Sequence, residues 1–118
     1  MSKIASLQDF GIPVPVPAPA STDHLIVYYG PSPMTPSYAQ SGRIDAGAVS
    51  ALSTKTDSAG VLCYDDPISQ ELPVGLSGPY DFVFTLMDAS GNEGNFSPAI
   101  TVSIDTTVPP TLGQPVQL

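Results

Sequence analysis

The sequence predicts an all-β fold, an antiparallel β-sandwich, and three observations carry that expectation. Short runs of β-branched and aromatic residues recur at spacings of roughly ten residues. Pro and Gly, 14 and 10 of the 118 residues, cluster between those runs. The runs at 80–88 (YDFVFTLMD) and 99–105 (AITVSID) flank a Gly/Asn turn cluster, the pattern of an antiparallel hairpin.

Each element follows from its own residues. In 11–20 (GIPVPVPAPA), Pro13, Pro15, Pro17 and Pro19 remove every second amide hydrogen and fix φ near −65°. The segment is therefore expected to be extended and polyproline-like, neither helix nor central strand. The residues between the prolines, Ile12, Val14, Val16 and Ala18, are apolar, so two readings stand: a spacer, or an arm lying against a neighbour. Residues 24–29 (HLIVYY) form a strand closed by Gly30-Pro31. Both of its faces are apolar, which predicts a cover on the second face, from an arm or a partner. Residues 31–43 read as loop. Residues 44–58 read as a short helix after Asp45 or as a weak edge strand. A strand is expected over 59–66, ending at Pro67, and another over 68–72. In 80–88, Tyr80, Phe82, Phe84 and Leu86 share one face. In 99–105, Ile100, Val102 and Ile104 point inward, so the two sets are expected to pack together. The predicted organisation is an extended N-terminal arm at 1–22, a sandwich at 23–105 and an extended tail at 106–118.

Charge narrows the function classes. Three Lys and Arg face eleven Asp and Glu, a net charge of −8. Phosphate binding needs clustered Lys and Arg, so neither nucleic acid nor an anionic membrane is an expected partner. One Cys and one His cannot make an internal disulfide or a Cys/His zinc site within one chain. The first ten residues lack an apolar run of signal-peptide length, and no stretch approaches the ~18 apolar residues of a membrane-spanning helix. The expectation is synthesis and assembly in a cytoplasm, with release by lysis or a signal-independent route.

Candidate chemistry is sparse. The loop Asp88-Ala-Ser-Gly-Asn-Glu-Gly-Asn95 carries alternating oxygen donors that suit calcium, but also the Asp, Asn and Gly that hairpin turns require. Asp65 and Asp66 are adjacent in a strand and point to opposite faces, which argues against one shared site. His24 opens a strand, and no G-x-S-x-G elbow accompanies it. Cys63 sits in an apolar run without a basic neighbour and reads as a small buried hydrophobe. Gly30-Pro-Ser-Pro lacks the amide donors of a phosphate cradle. The reading is non-enzymatic, with no cofactor, metal or catalytic residue.

Residues 72–105, LPVGLSGPYDFVFTLMDASGNEGNFSPAITVSID, resemble the second half of a fibronectin type III or bacterial immunoglobulin-like module. The likeness rests on Gly75-Leu76, Tyr80-x-Phe82-x-Phe84, Asp88-x-x-Gly91-Asn92-Glu93 and Ser97-Pro98 before the alternating last strand. Val27-Tyr28-Tyr29-Gly30 is similar to the third strand of such a module. The resemblance implies that Tyr80 is a tyrosine-corner residue, its hydroxyl bonded to backbone near Val74 to Leu76. It also implies that Asp105-Thr106-Thr107-x-Pro109 is like a linker between tandem modules.

An acidic sandwich of surface-array type, made without an export signal and flanked by Pro-rich arms, fits a bacteriophage virion protein. The expected function is a capsid decoration (cement) protein or a small tail-associated protein. It would dock through Ile12, Val14, Val16, Ala18, Val108 and Leu112 onto other virion proteins or copies of itself. Two alternatives remain. One is a carbohydrate- or host-surface-binding module at the cell surface, using aromatics such as Tyr28, Tyr38 and Tyr64. The other is a filament subunit joined by strand donation.

Overall fold

Alternation and proline placement decide which segments become strands and which edge each strand can use. The structure is a computed structural model that describes residues 2–3, 11–65, 71–73, 75–105, 107 and 109–118. Nine strands run through it: β1 (Ser2–Lys3), β2 (Gly11–Pro13), β3 (His24–Pro31), β4 (Arg43–Ala48), β5 (Thr54–Thr56), β6 (Leu62–Asp65), β7 (Glu71–Leu72), β8 (Ser77–Met87) and β9 (Ile100–Asp105). One antiparallel sheet has the order β4-β3-β8-β9 and the other β2-β6-β5, with a short β1-β7 ladder beside them. Together they make a β-sandwich.

The core lies between the sheets. Leu25 and Val27 of β3, Phe82 and Phe84 of β8, and Val102 and Ile104 of β9 meet Tyr64 of β6 and Leu72 of β7, all buried. Tyr80, Leu86 and Ile100 pack at its margin, half-buried. The inward faces of β8 and β9 are thus those marked by the period-2 pattern. Tyr80 lies beside Tyr29, ring centroids 6.5 Å apart, and lines a shallow cleft with Pro73 and Leu76. Val74, one of its expected backbone partners, is outside the described residues.

The hairpin between β8 and β9 is longer than a tight turn allows. Met87 bridges Glu93, the Gly94 amide donates to Leu86 O at 2.8 Å, and the Ser97 amide to Phe84 O at 2.8 Å. By Phe82 and Ile100 the register has shifted by two residues, so 95–99 bulge out of the ladder.

One expectation about the front half needs correction. Residues 11–14 belong to the body. Gly11, Ile12 and Pro13 pair with Asp65, Tyr64 and Cys63, and the Val14 amide donates to Leu62 O at 2.9 Å. In an antiparallel ladder every second residue faces its partner strand with both backbone groups. Here those residues are Ile12 and Val14, and Pro13 and Pro15 take the outward positions, where no amide is needed. Alternating proline leaves one edge of the chain able to pair and blocks the other, so β2 is an edge strand. Its Ile12 and Val14 side chains pack on the core of their own chain. Of the two readings of 44–58, a short helix or a weak edge strand, the structure shows the strand: edge strand β4, a single 3-10 turn (Val49–Ala51) and edge strand β5. The predicted strand at 59–66 begins only at Leu62, because 57–61 make a turn. Of the strand predicted at 68–72, only Glu71–Leu72 falls among the described residues.

Candidate functional site

The outer face of the four-stranded sheet carries a polar cluster covered by aromatic side chains. On this face Tyr28 of β3 pairs with Val83 of β8 and Ile26 with Thr85, so Tyr28 and Thr85 are diagonal neighbours. Both hydroxyls donate to the Glu93 carboxylate, Thr85 Oγ1 at 2.6 Å. Arg43 of β4 completes the set: its Nε donates to Tyr28 Oη at 3.2 Å, and its guanidinium lies 3.5 Å from Glu93 Oε1. The guanidinium carbon also sits 5.7 Å from the Tyr28 ring centroid. Tyr38 and Phe96 stack over the cluster at 4.2 Å, each meeting the Tyr28 ring edge-on. The Tyr38 hydroxyl donates to Gly94 O at 2.8 Å.

This cluster covers the second apolar face of β3. The cover comes from the chain's own loops, through Met34 and Tyr38 on one side and Glu93 and Phe96 on the other. Burial pushes the Glu93 carboxyl up, but the hydrogen bonds from Thr85 and Tyr28 and the Arg43 charge outweigh it and hold it below the ordinary range. Burial, reinforced by the Glu93 hydrogen bond, raises the Tyr28 phenol. Glu93 accepts from Tyr28, Thr85 and Arg43, and Arg43 also donates to Tyr28, so the cluster clamps the 88–99 loop to the sheet. Sequence reasoning missed it because Tyr28 and Glu93 lie 65 positions apart.

The carboxylates weighed as ligands are also taken up by the chain. Asp88 accepts from the amides of Ser90 and Asn92 at 3.0 and 2.9 Å and from the Asn92 side chain at 3.1 Å. Asp57 does the same one hairpin earlier, accepting from the amides of Ala59 and Val61 at 2.9 Å each. In both turns the Gly at the fourth position has positive φ, 85° at Gly60 and 86° at Gly91. The repeated Asp-x-x-Gly was a readable signal for the β5–β6 hairpin. The buried Asp81 accepts from Thr101 Oγ1 at 2.6 Å and from the Met34 amide at 3.0 Å. Its carboxyl is held below the usual range by the Thr101 hydroxyl first, with Ser32 and Met34 adding to it. Asp45 faces His24 Nδ1 at 2.9 Å and also accepts from the Gly47 amide at 2.8 Å. Asp65 is exposed at a strand end, and Asp66 is outside the described residues. Cys63 is a buried free thiol. Among the described residues no group of three or more His, Cys, Asp or Glu could hold a metal ion, and no helix is long and apolar enough to cross a membrane.

The expected docking residues separate into two groups. Ile12 and Val14 are half-buried in their own core, whereas Val16 is 97% exposed and Ala18 is exposed. In the tail, Leu112 is 91% and Val116 77% exposed, and Leu118 is fully exposed. Val108 is outside the described residues. Every residue of 109–118 is exposed. Leu112, Val116 and Leu118 fall at even spacing, so in extended chain they share one face. No charged side chain follows Asp105. At the other end of the sandwich is an apolar cleft of about 270 Å3 between β2 and the β8 hairpin, lined by Ile12, Pro15, Leu25, Tyr64, Leu86 and Phe96 among others. Such a volume falls just short of the roughly 300–1,000 Å3 of small-molecule sites and suits a few side chains. A scan against protein-family models, a search of curated proteins and a search of solved structures return no match to this chain.

Proposed function

We propose that this chain is a non-enzymatic assembly protein, an immunoglobulin-like sandwich that docks through extended chain at its ends, of the kind that decorates a bacteriophage capsid or joins a phage tail. The observation that carries this reading is the tail. Ten exposed residues without a charged side chain carry Leu112, Val116 and Leu118, and nothing in their own body covers them. Apolar side chains aligned on extended chain gain free energy only when buried, and the partner must supply the burial. The strand order supports the immunoglobulin-like part. β4-β3-β8-β9 has the order C′-C-F-G of such sandwiches, and β2-β6-β5 the order B-E-D.

The carbohydrate-binding alternative has less support. Tyr28 and Tyr64 are buried, in two different clusters, and of the three tyrosines it needed only Tyr38 is exposed. Strand donation keeps a specific support, the same tail.

The reading is tested on particles released at lysis by cells that make the chain. Purified particles are expected to contain it at a fixed copy number per shell or tail, by mass spectrometry and immunogold labelling. Recovery of the chain only in the cell envelope or the free soluble fraction overturns the reading.

A further inference from the structure

The tail and the cleft lie at opposite poles of the sandwich. Asp105, where the tail leaves β9, pairs with Ser77 at the start of β8. The cleft is built on the other end of that strand, on Phe84, Leu86 and the returning residues 94–97. Nine residues of β8 separate Ser77 from Leu86, about 30 Å of strand. The described part of the tail begins with the stiff pair Pro109-Pro110. The long axis of the molecule is 67 Å, against 34 and 27 Å across.

The chemistry of the two surfaces matches. No charged residue lines the cleft, and the tail carries none. Elsewhere each chain bears a net charge of −8, so two copies repel wherever their bodies meet. A tail without charged side chains entering a cleft without charged side chains is a contact that two such copies can make without desolvating a side-chain carboxylate. Three of the sheet edges are less suitable. Pro13 and Pro15 block β2, Arg43 and Asp45 mark β4, and β5 is three residues long with Lys55 at its centre.

We infer that residues 109–118 of one copy occupy the cleft between β2 and the β8 hairpin of a second copy, with Leu112, Val116 and Leu118 turned into it. The inference rests on the assembly reading above and names its partner, another copy of this chain. The interface is head-to-tail: each copy offers one tail and one cleft. Such contacts close into a ring or run on as a filament, depending on the rotation between neighbours.

Sedimentation velocity of the full-length chain, from micromolar to millimolar concentration, tests it. The wild-type chain is expected to associate, and more strongly as salt screens the like charge. The variant Leu112→Ser/Val116→Ser/Leu118→Ser is expected to associate at least about tenfold more weakly, through lost apolar burial. Asn95→Arg, which puts a charge on the exposed rim of the cleft, is expected to weaken association similarly. Both variants should unfold thermally like wild type, since the changed side chains are exposed. A mixture of the two restores one good tail and one good cleft, so it should form 1:1 dimers and nothing longer. A monomeric wild-type chain, undiminished association of either variant, or a mixture that stays monomeric overturns the inference. Particles that contain a chain which is monomeric when purified would leave the assembly reading standing and remove this one.

Discussion

Tyr28 shows how one hydroxyl holds distant segments together. It donates to Glu93 and accepts from Arg43, tying β4 and the 88–99 loop to the middle of the sheet. Tyr28→Phe is expected to cost roughly 1.5–3 kcal/mol, the range for hydrogen bonds to charged groups, read from urea midpoints. Phe84 anchors the other face of the sheet. Phe84→Ala should cost about 3–5 kcal/mol, since it removes a large side chain from the layer shared with Val102 and Tyr64. A loss below about 1 kcal/mol would place Phe84 outside the core. Acid probes the same residues by charge. Glu93, Asp81 and Asp45 all have carboxyls held below their ordinary values in the fold. A depressed carboxylate contributes stability above its unfolded-state value and loses it as the pH falls through the folded value. Stability should therefore be level between about pH 5 and 9 and fall as the pH drops below about 4. Glu93→Gln should flatten part of that fall, seen in urea midpoints measured across the range.

At the scale of elements, proline alternation in β2 has two consequences that separate cleanly. Ile12 and Val14 face β6 and the core, while Val16, past the last paired residue, faces solvent. Ile12→Ser is expected to destabilise the fold by roughly 1–3 kcal/mol, and Val16→Ser by less than about 0.5 kcal/mol, both by chemical denaturation. Equal effects would mean that β2 does not pair as described. The long strands were legible in the sequence because alternation in β8 and β9 persists over enough residues to fix a face. β2 was half-legible. Its prolines excluded a helix and a central strand, but an edge strand with only its outward amides missing fits the same pattern. β5 was not legible from its own residues, because Thr-Lys-Thr is exposed at all three positions and carries no period. Its turn was, since Asp57-x-x-Gly60 repeats the chemistry of Asp88-x-x-Gly91. The cover over Tyr28 was implied by the apolar second face of β3, but its source in two loops depends on contacts across 65 positions.

The whole molecule is longer than its body. Its radius of gyration is 16.8 Å, against about 13.5 Å for a compact chain of this length. The sandwich satisfies its own buried carboxylates and covers both faces of the four-stranded sheet. Its most exposed large apolar side chains, Val16, Leu112, Val116 and Leu118, lie on the chain segments outside the strands, and burial by an assembly partner is the reason proposed for them. Hydrogen exchange on the full-length chain, dilute and then assembled into its particle, tests that claim most directly. In dilute solution the amides of Ile12 and Val14 should be protected, and the non-proline amides of 111–118 should exchange as in free peptide. On assembly the account predicts that protection appears in 111–118 while the strands stay as they were. Tail amides that exchange just as fast in the particle, with new protection confined to the faces of the sandwich, would contradict it.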